Sequence, residues 1–140
     1  MTPAGSSSRL SSLSLWLPVA ALATLIFVLS SFPYLPSPPG QYSDKWEHMA
    51  MYGLLSTLIV RALAGGRWIG VRAAVFVGAV VLATLYGVSD EWHQSFVPGR
   101  TADAYDVMAD AAGATLAAGL LLAWAIIRRR RRAAESAQSA

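Results

Sequence analysis

Asp90-Glu91-Trp92-His93-Gln94-Ser95-Phe96-Val97-Pro98-Gly99-Arg100 follows the uncharged run from Ala73 to Ser89. Two adjacent carboxylates, an imidazole, an amide and a guanidinium therefore stand at the end of a stretch that is almost pure hydrocarbon. The run is about as long as a helix needs to be to cross a bilayer. Ionisable groups at its end carry a cost that asks for a structural or functional reason.

The same pattern recurs on both sides of this stretch. No charge falls between Arg9 and Asp44, between His48 and Arg61, between Arg72 and Asp90, or between Asp110 and Arg128. Each gap leaves roughly one bilayer's worth of apolar residues. The chain has 140 residues, 55% hydrophobic and 14% charged. It is too apolar for an ordinary soluble domain, and the fold class expected is an all-α membrane protein with four transmembrane helices. The absence of cysteine excludes a disulfide, a thiolate metal site and a cysteine nucleophile.

Charge sets the expected orientation. Arg9, Arg61, Arg67, Arg72 and Arg128 to Arg132 lie at one set of helix ends, and Lys45 and Arg100 at the other. The positive-inside rule then places both termini in the cytoplasm (N-in/C-in). Seven of the eight acids, all but Glu135, fall at the outer ends. The expected location is the bacterial inner membrane, multi-pass. The Arg128–Arg132 run reads as a stop-transfer anchor against anionic lipid, worth about 1 kcal/mol per residue, and not as a nucleic-acid patch.

In chain order, residues 1–12 read as a disordered cytoplasmic tail, 13–128 as the four-helix transmembrane domain, and 129–140 as a basic cytoplasmic tail. The first span is expected from Leu13 to Phe32. An outer loop rich in Pro33, Pro36, Pro38, Pro39 and Gly40 follows. The second helix is expected from Asp44, with Glu47 at capping-box spacing, to Ala64. The third runs from Val71 to Val88 and on to Gln94. The fourth carries Asp103, Asp106 and Asp110 and exits into Arg128.

Two polar stripes share one periodicity. Lys45, His48 and Tyr52 follow at i, i+3 and i+7 on the second helix, and Asp103, Asp106 and Asp110 do so on the fourth, so each set lines one face. With Asp90, Glu91, Gln94 and Arg100, they describe a polar cleft open to the outer face. Five acids against two bases match a purely ion-paired lock poorly, and such crowding is the usual setting of a general acid or a cation ligand.

The candidate catalytic residues are Glu91, His48 and Asp106. The candidate binding residues are Lys45, Tyr52, Asp90, Gln94, Arg100 and Asp110, with Lys45 and Arg100 suited to an anionic group. No residue is assigned as a metal ligand. A metal variant would use His48 with Glu91 and Asp106, but no HExxH or comparable ligand pair exists. No cofactor is identified. His93, two residues from Glu91, is expected to point elsewhere. A proton or cation transport role is disfavoured, because four helices offer little room for an alternating pathway.

Lys45-x-x-His48-x-x-x-Tyr52, Asp90-Glu91-x-x-Gln94, then Arg100 with Asp106, Asp110 and Gly113 resembles the VanZ-like family of small bacterial membrane proteins. The likeness covers about residues 44 to 119, with Asp110 standing where that family usually has Asn. That family takes its name from an accessory protein of glycopeptide (teicoplanin) resistance; for this chain the resemblance implies a membrane location and a shared polar cleft, not a settled reaction, and a link to glycopeptide tolerance is expected only by analogy. The expected function is a cleft that binds an anionic cell-envelope component, lipid-linked or peptidoglycan-related, and has the groups to modify it. The expected partners are the lipid bilayer and that envelope component, with no nucleic acid. The alternative is a non-catalytic structural or interaction protein whose polar cluster is a buried ion-pair network.

Overall fold

The computed structural model describes residues 6–33 and 43–139. These form four helices, α1 (Ser6–Ser30), α2 (Ser43–Leu63), α3 (Ala73–Gln94) and α4 (Ala104–Gln138), with a single 3₁₀ turn at Trp68–Gly70. Three stretches are long and apolar enough to cross a membrane: Ser12–Ser30, Ala73–Gln94 and Ala104–Gln138. The chain is a membrane protein by these helices. The expected second span, α2, is not among the three, because Asp44, Lys45, Glu47 and Arg61 interrupt its hydrocarbon.

Helix α2 packs against all three of its neighbours, most extensively against α4. Tyr52, Leu55, Ile59 and Val60 of α2 are buried. Around it, α3 presents Ala79 and Ala83, and α4 presents Ala114, Ala118 and Ala125. Small residues at these positions let helix backbones approach closely, the main source of packing where lipid removes the hydrophobic drive between helices. The large side chains Val77, Val81, Leu85, Leu116 and Leu120 point outward and stay exposed, as expected of a surface solvated by lipid.

The helix ends follow local chemistry. Gly65 and Gly66 take φ of 62° and 75°, a left-handed conformation that ends α2 where side-chain residues would be strained. Asp103 caps α4 by accepting the Tyr105 amide N–H at 2.8 Å. Between α3 and α4, Val97-Pro98-Gly99-Arg100 closes with Arg100 N–H donating to the Val97 carbonyl at 3.0 Å. Pro98 at the second position and Gly99 with φ 84° at the third match a type II turn.

Several boundaries differ from expectation, α1 ending at Ser30 and not Phe32 among them. Residues 1–5 of the expected disordered tail lie outside the described residues, and Ser6–Ser12 are helical, because no proline or glycine stops α1 from extending beyond its span. Helix α4 continues through the arginine run to Gln138, since Arg, Ala and Glu are good helix formers. The third helix starts at Ala73, not Val71, after Arg72 in extended backbone. Of the proline-rich loop, Pro36, Pro38, Pro39 and Gly40 lie outside the described residues.

Candidate functional site

Helices α2 and α4 run in the same direction, and their matching i, i+3, i+7 stripes meet in register. Lys45 Nζ donates to Asp106 Oδ1 at 2.6 Å, Asp103 Oδ2 at 2.8 Å and Asp44 Oδ2 at 3.0 Å. One turn deeper, His48 Nδ1 lies 2.9 Å from Asp110 Oδ1, and its Nε2 is 3.9 Å from Asp106 Oδ2. Deeper still, Ser56 Oγ donates to the Ala114 carbonyl at 3.0 Å. Asp103 lies outside the spans, and the Lys45 ammonium hydrogen-bonded to it holds its carboxyl below the usual carboxylate range.

Helix α3 runs the opposite way and supplies the third wall. Gln94 Nε2 donates to Asp90 Oδ2 at 3.0 Å and to Glu91 Oε1 at 3.2 Å. The other Glu91 oxygen, Oε2, accepts the Asp103 backbone N–H at 2.8 Å. Asp90, Glu91, Gln94, Asp106 and Asp110 are all buried. Their close approach depends on two glycines. A Cβ at Gly87 would press on the Asp110 carboxylate, and one at Gly113 would overlap the Met49 carbonyl.

A cleft of about 400 Å³ opens beside this cluster, lined by His48, Tyr52, Asp90, Gln94 and Arg100 with Asp44, Glu47, Ala50 and Met51. Its remaining wall is Ile26, Leu29 and Ser30 of α1, a contribution that the sequence did not suggest, because Ser30 at the end of an apolar helix looks like any interfacial serine. The cleft is thus polar on one side and hydrocarbon on the other. The Tyr52 ring is buried in its floor, and the Tyr52 hydroxyl, Asp90 Oδ1 and Asp110 Oδ2 have no hydrogen-bond partner among the described residues.

All nine candidate site residues therefore gather at one end of the bundle. Lys45 meets three carboxylates of the protein itself. Arg100 does not: its Nε donates to the Phe32 carbonyl at 3.1 Å, and no carboxylate lies within 4 Å of it among the described residues. Its turn carries the guanidinium toward α1, away from the α2–α4 seam. His93 indeed points elsewhere, stacked on Phe27 at 4.3 Å between ring centroids and 3.1 Å from Ser31 Oγ.

Asp103, which the spacing places in the polar stripe but which is not among the candidate site residues, belongs to the same cluster. It binds Lys45, caps α4 and holds Glu91 through its amide, and its spacing from Asp106 was the available signal. At the opposite end of the bundle, Arg129 Nη1 donates to the Ile69 and Val71 carbonyls at 2.9 and 2.8 Å. One arginine of the expected anchor is thus a bracket for the α2–α3 connection.

One ligand atom from each of His48, Glu91 and Asp106 lies within 4.8 Å of the other two. The arrangement can share a proton or hold a cation. In comparison with known proteins, the family model described as VanZ/LLP1 matches residues 6–128. No curated protein and no solved structure matches the chain.

Proposed function

The chain belongs to the VanZ/LLP1 family, and from its cleft we propose a four-span inner-membrane protein that binds an anionic cell-envelope component, lipid-linked or peptidoglycan-related. Both termini are cytoplasmic, and the cleft opens outward. Helix α2 is the fourth span, its polar groups turned toward the other helices and the segment from Met49 to Val60 free of charge. His48, Glu91 and Asp106 form the reactive centre beside the bound component. A change made to such a component is the route by which the protein would contribute to glycopeptide tolerance.

The observation that carries this reading is the contrast between the two outer cations. Lys45 is committed to three carboxylates. Among the described residues Arg100, which lines the cleft, has only a carbonyl on its Nε, which leaves its Nη face for a bidentate phosphate or carboxylate. The apolar wall of Ile26, Leu29 and Met51 suits the hydrocarbon of the same molecule. A purely structural ion-pair network accounts for Lys45 but not for Arg100.

The test is binding of a short-chain polyprenyl phosphate to the full chain in detergent. Arg100→Gln should weaken it at least tenfold, the effect of losing one charge-assisted bidentate contact of about 1.4 kcal/mol or more. Equal affinity in the two proteins would overturn the anion-binding reading. Orientation is read separately from reporters fused after Gly66 and after Pro98. A cytoplasmic signal from the second overturns the outward cleft.

A further inference from the structure

We propose that His48, Glu91 and Asp106 together bind one divalent transition-metal ion of the Zn²⁺ class, leaving at least one coordination position for a ligand from the cleft. The proposal deepens the reading above and rests on it only for what takes that open position.

The first support is geometric. One donor atom from each residue lies within 4.8 Å of the others, and His48 Nε2 is 3.9 Å from Asp106 Oδ2. Ligands about 2.0–2.2 Å from a single ion stand roughly 3–4 Å apart, so small side-chain rotations close the site. Three protein ligands with an open position is the usual composition of a reactive zinc site, as opposed to a closed structural one. The imidazole favours a Zn²⁺-class ion over Mg²⁺ or Ca²⁺, which prefer oxygen-only shells.

The second support is what holds the three side chains. His48 Nδ1 lies 2.9 Å from Asp110 Oδ1; with Asp110 ionised and His48 neutral, Nδ1 carries the hydrogen and the Nε2 lone pair faces Asp106. The Asp106 oxygen not facing His48 is held by Lys45. Glu91 is steadied by Gln94 Nε2 on one oxygen and the Asp103 amide on the other, each leaving further lone pairs. A carboxylate behind the histidine and hydrogen bonds behind the carboxylates are the outer-shell pattern of metal sites.

The third support is charge. Asp90, Glu91, Asp106 and Asp110 are buried together, and among the described residues Lys45 is the one Lys or Arg side chain that meets them, on one Asp106 oxygen. Asp110 Oδ2 and Asp90 Oδ1 have no partner among the described residues, and Asp110 is 0% exposed. Buried carboxylates in such excess are relieved either by protonation or by added positive charge, and a dication between Glu91 and Asp106 would supply the charge.

The experiment uses the full chain in detergent, stripped with a chelator and titrated with Zn²⁺ by calorimetry and with Co²⁺ by its ligand-field absorption. One equivalent per chain is expected. Asp110→Asn should weaken binding 10- to 100-fold, and His48→Ala should abolish stoichiometric binding while eluting as a single folded species. Should His48→Ala fail to fold, Glu91→Gln gives the same reading. Absence of saturable binding by the native chain, or undiminished affinity in the ligand variants, overturns the metal site. Arg100→Gln should bind metal like the native chain. Metal bound normally by a chain that takes up no polyprenyl phosphate would sink the anion reading alone.

Discussion

Replacing Gly113 by Ala adds one methyl group where it cannot be accommodated. The new Cβ would overlap the Met49 carbonyl of α2, a backbone group with no rotamer to escape into. Restoring an ordinary contact of roughly 3.5 Å requires α2 and α4 to part by on the order of 1 Å. Overpacking of a tight interior costs about 1–3 kcal/mol, and backbone-to-backbone conflict puts this site at the upper end. By soluble-domain scaling, about 3 kcal/mol corresponds to a fall of roughly 10 °C in Tm. The same displacement separates His48, the neighbour of Met49, from Asp110, one turn before Gly113. Thermal unfolding of the detergent-solubilised chain followed by circular dichroism measures the loss, with Gly53→Ala as a milder companion, since its Cβ would stand 3.3 Å from the Gly113 carbonyl oxygen. A Gly113→Ala protein with native Tm would show that α2 and α4 do not pack as closely as described, and the His48–Asp110 register would fall with it.

Lys45→Met leaves Asp103 and Asp106 facing each other without their shared cation and should cost about 3 kcal/mol, as for breaking a largely buried pair. Arg100→Met, which loses one bond to a carbonyl, should cost well under half as much, and equal losses in Tm would contradict the different roles given to the two cations. Asp103→Asn keeps an N-cap for α4 but removes the charge that Lys45 stabilises. Because the Asp103 carboxyl is held below its usual range, its contribution is present above the unfolded pKa of about 3.9 and lost as pH falls through the lower folded value. The variant should therefore be less stable than the native chain at pH 7 and converge with it in strong acid, and a pH-independent difference would point to the cap instead. Arg129→Ala removes two charge-assisted bonds to the Ile69 and Val71 carbonyls and should cost roughly 2 kcal/mol. Its signature is faster amide exchange confined to the α2–α3 connection, and unchanged exchange there would mean the bracket contributes nothing.

Much of the site was legible because periodicity is a property of one helix at a time. Lys45, His48 and Tyr52, like Asp103, Asp106 and Asp110, lie at spacings that any helix gathers onto one face, whatever surrounds it. The turn at Pro98-Gly99 was legible for the same reason, since both residues act on their own dihedrals. What could not be read is which stripe faces which. Lys45 and Arg100 looked equivalent as outer cations, yet one is ringed by three carboxylates and the other meets the end of α1. That difference comes from the direction in which the turn releases Arg100. Gly87 looked like an ordinary glycine in an apolar helix until Asp110 was found against it, whereas Gly113, which belongs to the motif quoted above, is where the Met49 carbonyl comes close.

By itself, the sequence determined the membrane-spanning character of the chain, the helices and the ends at which charge collects, because hydrophobic length and helical period are local. Only the tertiary structure decided that α2 sits at the centre, that its stripe meets that of α4 in register, and that Glu91 of α3 comes within 4.8 Å of His48 and Asp106. The physical reason is that register between helices is set by close backbone packing at a few small residues. The stretch from Asp90 to Arg100 therefore shows a polar cost in the sequence, and the contacts that offset it come from Gln94 within the stretch itself, from the Asp103 amide and from the end of α1.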